Sequence, residues 1–376
     1  MKTFKFASLF LASSVIYNFS HYQLIKNARR ILPNEFLTTE DVDDGPADWT
    51  PDGKRIMTVC ITGAAGFLSY SFLPHLVNGS VFGPNVQIRL RLLDVPAKSK
   101  ELKGIALELA DSLPYNLESV KIGSDPYKLF KHCDLVVFIG GKPRTSGMER
   151  VDLLKENAVI YKEQGKALNE VGRKDVRCVV VANPANTNCL ILQDNAKNIP
   201  PQNFTCLTRL DQNRAIAQLA RKANIVPDQI ENVVVWGNHS KTIYPDVNNA
   251  KLQGKPIRQV IYDDDYLDNE FVSKVQKRGD VILETEKQHP SILSGARALR
   301  DHIRDWWQGT EPGHWVSMGV VSDGSYGVPE GMIFSFPVTT KYFRYNIVKK
   351  LDLDELSKKR LNAAVQELIK EWETVN

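Results

Sequence analysis

Cysteine is scarce in this chain and badly spaced for chemistry. There are five in 376 residues, at Cys60, Cys133, Cys178, Cys189 and Cys206. The number is odd and no CxxC pair exists, so a disulfide framework, a zinc site or a paired redox motif lacks the spacing it needs. Cys60, Cys133, Cys178 and Cys206 lie in or beside apolar runs, as buried reduced thiols do. A surplus of charge is missing too: 48 basic against 44 acidic residues leave a formal +4. The basic residues are scattered with no basic-aromatic stripe, which sets nucleic-acid binding aside. No metal is implied. Past residue 55 there is neither an internal repeat nor a low-complexity tract.

Acidic residues are absent from positions 1–34. MKTFKF gives a basic start, and the apolar run FASLFLASSVIYNF, at 14 residues, is too short to span a bilayer comfortably. No stable membrane insertion of the mature chain is expected. SHYQLIKNARRIL then allows a helix with Leu24, Ile25, Ala28, Ile31 and Leu32 on one face, while Lys26, Arg29 and Arg30 fall largely elsewhere. TTEDVDDGPADWTPDGK is an acidic, Pro/Gly-punctuated linker. Residues 1–55 therefore read as an address segment and linker rather than fold. The acid-free, Arg-bearing stretch suits organelle import, the mitochondrion first; cytoplasmic residence and secretory routing are the alternatives. Sequons at Asn18, Asn78, Asn203 and Asn238 weigh against secretion, since a glycan on Asn238 would block the candidate base beside it.

What is present from residue 56 is an alternation of strands and helices. IMTVCIT is a β-branched apolar strand, VQIRLRLLDV a second, DLVVFIGG a further one, and RCVVVANPANTN another, stopped at Asn183-Pro184. Between them LKGIALELADSL and LLKENAVIYKEQGKALNEV carry helical spacing. Strands that are nearly all apolar and alternate with helices imply a parallel sheet covered on both faces. Beyond about residue 206 come a helix (DQNRAIAQLARKAN), a strand (NVVVWGNHS), a hairpin-rich stretch (GVVSDGSYGVPEGMIFSFPV) and an amphipathic helix with Leu361, Val365, Leu368 and Trp372 on one face. The expected fold is α/β: a Rossmann-type doubly wound parallel sheet over 56–205, then a mixed α+β catalytic domain over 206–376.

Gly63-Ala64-Ala65-Gly66-Phe67-Leu68-Ser69 joins the first strand to a helix. Gly63 permits the tight turn, Gly66 lets backbone approach a pyrophosphate at the helix N-terminus, and Ser69 is small enough for close packing. Any tight strand-to-helix turn could look the same. Asp94, 31 residues after Gly63, ends the second strand. There a carboxylate can accept from ribose hydroxyls and repel a 2′-phosphate, favouring NAD over NADP. Oxidising a secondary alcohol with such a cofactor needs a base, and histidine suits the task. Of seven histidines, His21 is in the leader, and His75, His132, His289, His302 and His314 lie among charged or helical surface-like residues. His239, in VVVWGNHS, ends an apolar strand, although a histidine so placed can also be structural. Asp211, in LTRLDQNR, is the candidate partner, and Arg214 shares its helix face. Arg214 could hold a carboxylate by two parallel hydrogen bonds. Singly, Asp211 also fits a plain N-cap and Arg214 a solvated helix charge.

NPANTNCL, LTRLDQNRA, WGNHS, YPDVN, SMGVVSDG and SYGVP together closely resemble malate dehydrogenase of the cytosolic-type branch, over residues 56 to about 340. The resemblance implies reversible, NAD-linked oxidation of (S)-malate to oxaloacetate in a homodimer. It also accounts for GGKPRTSGMER: in this family that loop closes over substrate. Arg144 would pair with the distal carboxylate, Arg150 would polarise the carbonyl, and Gly140, Gly141 and Gly147 would supply hinges. Asn183 would touch both substrate and nicotinamide, while Val181, Asn157, Gln164 and Ser294 match cofactor-contacting positions. Phe67 departs from the polar residue usual in the turn, GSYG at 324–327 is one residue short, and the leader is foreign to the branch. NADP-linked relatives lack an acid where Asp94 stands. The rivals are another 2-hydroxyacid dehydrogenase on the same frame, a short-chain reductase, whose Tyr-x-x-x-Lys pair is misplaced here, and a catalytically idle binding subunit.

Overall fold

In a computed structural model the described residues are 37–39, 49–50, 53–142, 150–286 and 291–375, with the side chains of 37–39 and Arg150 outside the description. Most of the leader, Arg144, Gly147 and His289 therefore lie outside it.

Strand β2 (Arg55–Thr62) is buried at every residue but the first. Its parallel neighbours are β3 (Val86–Leu93) and β5 (Leu135–Phe138). Strand β4 (Leu117–Gly123) pairs outside β3, while β6 (Arg177–Val180) and β7 (Phe204–Cys206) continue beyond β5, all parallel. The inner strands β2, β5, β6 and β7 are buried throughout apart from the first residue of β2 and of β6, because helices cover both faces: α1 (Phe67–Val77), α2 (Ser99–Asp111), α3 (Arg150–Val171) and α4 (Ala185–Asp194). Strand order reverses between β2 and β5, and ligands bind beyond the carboxyl ends of strands at such a switch point.

Two features go beyond the sequence reading. A short strand β1 (Leu37–Thr39), within the stretch read as leader and linker, pairs parallel to β4. The second half also adds strands to the same sheet. After α5 (Arg209–Ala223), the pair β8 (Val234–Trp236) and β9 (Tyr244–Asp246), and α6 (Ile292–Gln308), strand β10 (Val316–Val321) runs antiparallel to β7. It is followed by β11 (Ile333–Lys341) and β12 (Arg344–Ile347), making ten strands in all. The C-terminal helix α7 (Glu355–Val375) buries Leu361, Val365 and Leu368 and packs on α3, α4 and β9.

All five cysteines are buried and free. Among the described residues no helix is long and apolar enough to cross a membrane. His302 corrects its surface reading: it is fully buried on α6. Its neighbours Arg300, Asp301, Arg304 and Asp305 give the stretch a solvated look. Yet Ala298, Leu299, His302, Ile303 and Trp306 recur at helical spacing on the inward face.

Candidate active site

His239 stands three residues beyond the end of β8, where Gly237 ends the strand with φ +105° and pairs with Ser335 of β11. Asp211 sits in the first turn of α5, its backbone N–H donating to Thr208. These two elements bring His239 Nδ1 to 2.5 Å from Asp211 Oδ2. The carboxylate accepts from Nδ1–H, so Nε2 is the ring nitrogen left for other partners. Burial would push the Asp211 carboxyl up, but facing His239 and Arg214 overcomes that and holds it below the usual carboxylate range. Arg214 Nη1 lies 3.5 Å from Asp211 Oδ1, and its Nη2 donates to Ser291 Oγ at 3.0 Å. Its Nε is buried with no partner among the described residues. His239, Asp211, Arg214, Asn183, Lys142 and Ser240 line one cavity of about 470 Å³.

The glycine turn lies where β2 ends, packed against the segment that follows β5. Gly63 has φ +64°, and a Cβ on it would lie 2.5 Å from Gly140 Cα. A Cβ on Gly140 would in turn lie 2.8 Å from Gly63 N. The ends of β2 and β5 therefore meet backbone to backbone, leaving a groove no side chain fills. Ser69, fully buried, donates its hydroxyl to Gly63 O at 2.8 Å. Gly66 caps α1 with no side-chain cap hydrogen bond and no acid in the first turn, so no carboxylate of the helix itself opposes an anion at its N-terminus. Asp94 accepts from Ala65 N at 2.9 Å and Val95 N at 2.8 Å, which fixes the carboxylate at the rim and leaves further lone pairs for hydroxyls. These residues fit a dinucleotide: a tight glycine turn leading into a helix with no acid in its first turn for the pyrophosphate, and a fixed acid for the ribose.

Not every sequence candidate comes to this cavity. Asn157 is fully buried; its Oδ1 accepts from Lys142 N at 2.7 Å, and its Nδ2 donates to Lys142 O and Asn183 O at 3.3 and 3.2 Å. It ties the foot of the 140–150 loop to the end of β6. A Cβ on Gly141 would press on that Asn157 side chain and on Ala182, so both Gly140 and Gly141 are places of close packing. Val181 is half-buried, donating its N–H to Phe138 O at 2.9 Å. Neither Gln164, whose Oε1 is buried with no partner among the described residues, nor Ser294, exposed on α6, lines the cavity. Ser291 is the hydroxyl that touches Arg214. Asn186 was missed as well: its Oδ1 accepts from His239 N at 2.9 Å while its Nδ2 donates to Gly237 O and Ile333 O. The only sequence signal for it was its place within NPAN.

A doubly wound sheet with this turn and acid, facing a carboxylate-backed imidazole across the switch point, is the frame of an NAD-dependent oxidoreductase. The particular family follows from comparison with known proteins, and the chain belongs to it: the lactate/malate dehydrogenases. Residues 57–205 match the family's NAD binding domain and residues 208–376 its alpha/beta C-terminal domain. The chain is 47% identical over 325 residues to "Probable malate dehydrogenase 3" of Dictyostelium discoideum, covering 85% of this chain and 97% of the relative. It is 45% identical over 322 residues to "Malate dehydrogenase 3, cytoplasmic" of Arabidopsis thaliana, covering 85% and 95%. Among solved structures it resembles malate dehydrogenase from Naegleria fowleri, with TM-score 0.82, 39% identity and coverage of 87% and 98%. Trichomonas vaginalis lactate dehydrogenase in complex with NADH and oxamate gives TM-score 0.81 at 32% identity, covering 85% and 98%.

Proposed function

We propose that the chain is a malate dehydrogenase interconverting (S)-malate and oxaloacetate. The observation that carries this reading is the His239–Asp211 pair, with Arg214 beside it in one cavity, in a chain 45–47% identical to proteins named malate dehydrogenase. Bound NAD would accept the hydride from malate C2 at the nicotinamide. His239 Nε2 takes the hydroxyl proton, and Asp211 holds the tautomer and stabilises the imidazolium. Arg214 grips the carboxylate beside the reacting carbon, and Asn183 adds a hydrogen bond to substrate. Gly63, Gly66 and Ser69 shape the pyrophosphate turn, Asp94 takes the ribose, and Val181, Asn157, Gln164 and Ser294 complete the cofactor set that the family resemblance suggests. Arg144 and Arg150 come from the loop that would close over a dianion and expel water. By the same resemblance we read residues 1–55 as leader and linker, 56–205 as the NAD-binding domain and 206–376 as the catalytic domain.

A homodimer fits the exposed apolar side chains Tyr70, Leu107 and Leu293 on α1, α2 and α6. Compartment is a separate matter. The Arabidopsis relative is named cytoplasmic, whereas the acid-free segment, which precedes both family-model matches, is the ground for organelle import. Fractionation of cells expressing the tagged full chain distinguishes the two.

The deciding assay is NADH oxidation with oxaloacetate and with pyruvate. Oxaloacetate should be preferred by kcat/KM, and Arg144→Gln should lower that preference at least about tenfold, the loss of one charge-assisted hydrogen bond. A wild type that favours pyruvate overturns the malate reading.

A further inference from the structure

The loop that carries His239 is gripped from the side remote from Asp211. Glu367, on the C-terminal helix α7, accepts three hydrogen bonds on a single oxygen, Oε2. The donors are Asn238 Nδ2 at 3.0 Å, Thr242 Oγ1 at 2.5 Å and the Ser240 hydroxyl. Two of those donors are the immediate neighbours of His239. Glu371, one turn on, accepts from Asn238 Nδ2 at 3.3 Å and from the Thr187 hydroxyl of α4. The helix also lies directly on the loop: a Cβ on Gly237 would come 2.7 Å from Ala364 Cβ. Thr242 N donates to Ser240 Oγ at 3.1 Å, closing the loop on itself.

We infer that Glu367 is a positioning residue for His239, setting the imidazole against Asp211 through the side chains on either side of it. Charge is needed here because hydroxyl and amide donors converge on one oxygen, and a carboxylate oxygen accepts such a set far better than a neutral group of the same shape. Position matters because a catalytic group displaced by about an ångström can lose about a hundredfold in rate. The backbone of His239 is held by Asn186 and its ring by Asp211, so Glu367 supplies the third point that fixes how the loop turns. The inference builds on the proposed role of His239 but not on the identity of the substrate.

The test compares wild type, Glu367→Gln and Glu367→Ala in the full chain. For Glu367→Ala we expect kcat to fall about tenfold or more with NADH affinity unchanged, and Glu367→Gln, which keeps one acceptor, should recover part of the rate. The pH profile of kcat/KM for oxaloacetate should change in Glu367→Ala, because the ring is no longer held in place against Asp211. If wild type prefers another 2-oxo acid, the series runs on that substrate, and the malate reading fails while this one is still tested. NMR titration of the histidine-labelled protein reads His239 without any substrate. If Glu367→Ala fails to fold, Thr242→Val removes one donor from the cluster and should give a smaller loss of the same kind. Unchanged kcat and an unmoved His239 titration would overturn the inference. So would a rate loss that tracks only the folded fraction.

Discussion

At the scale of single residues, the proposed chemistry rests on one imidazole whose two nitrogens are differently placed. Nδ1 faces a buried carboxylate at 2.5 Å, which leaves Nε2 free to exchange a proton with the substrate hydroxyl. His239→Ala should lower kcat by about 10²–10⁴, the usual contribution of general acid–base catalysis. NADH binding, which we assign to the glycine turn and Asp94, should stay within about twofold when followed by nucleotide fluorescence. Loss of cofactor binding along with turnover would make His239 structural and remove it from the mechanism. Both His239 and Asp211 were legible in the sequence because each sits in a distinctive run at an element boundary. Their supports were not. Asn186, Ser291 and Glu367 lie 53, 77 and 127 residues from the partners they serve. No local pattern distinguishes a glutamate on an amphipathic helix that grips a loop from one that faces water.

At the scale of elements, the parallel strands could be read early because they are buried on both faces and so carry unbroken apolar runs. β2 and β5 show this plainly, with RIMTVCIT and LVVF buried from the second residue and throughout, respectively. Burial inside a charged helix was harder to read. His302 and Asp301 on α6 are buried, and Asp301 is flanked by Arg297, Arg300 and Arg304, which hold it in ion pairs. The glycine turn shows how two elements share one constraint. Gly63 appears in the sequence as half of a cofactor motif, but what it touches is Gly140, just past the end of β5 and 77 residues further along. Gly140→Ala would place a methyl carbon 2.8 Å from Gly63 N and 3.1 Å from its Cα. Both are backbone atoms of the turn that leaves β2, so the turn itself must shift to admit the methyl. Overpacking of this kind costs about 1–3 kcal/mol, and the displaced turn is the one we assign to the pyrophosphate. Thermal melting should fall by several degrees and the Kd for NADH should rise. A variant with unaltered melting and NADH affinity would show that the two strand ends can part without consequence.

At the scale of the whole molecule, stability on the acid side should be governed by a residue remote from catalysis. His302 is sealed between α6 and β7; its Nε2 lies 3.0 Å from Thr205 Oγ1, and its Nδ1 has no partner among the described residues. Thr205 already donates to Cys178 O at 3.3 Å, so its oxygen accepts from Nε2–H and the ring is held neutral. Burial, helped by the Arg209 guanidinium, pushes its pKa down to about 3, against about 6.5 in an unfolded chain. Between those values the unfolded state binds a proton that the folded state refuses. The stability this neutral ring contributes is complete above about pH 6.5 and declines as pH falls toward 3, by about 1.4 kcal/mol per unit. At pH 5 the loss is on the order of 2 kcal/mol. His75, also shifted down by burial and by Arg300 and Arg297, adds in the same direction but is common to any His302 variant. The depressed carboxyl of Asp211 begins to matter only nearer the carboxylate range, below this window. His302→Gln keeps a donor for Thr205 and removes the titrating ring. Urea unfolding at pH 7.5 and pH 5.0 should therefore show the midpoint of wild type dropping substantially more than that of the variant. Equal drops would mean that His302 accepts its proton inside the fold, and that the acid sensitivity of this molecule arises elsewhere.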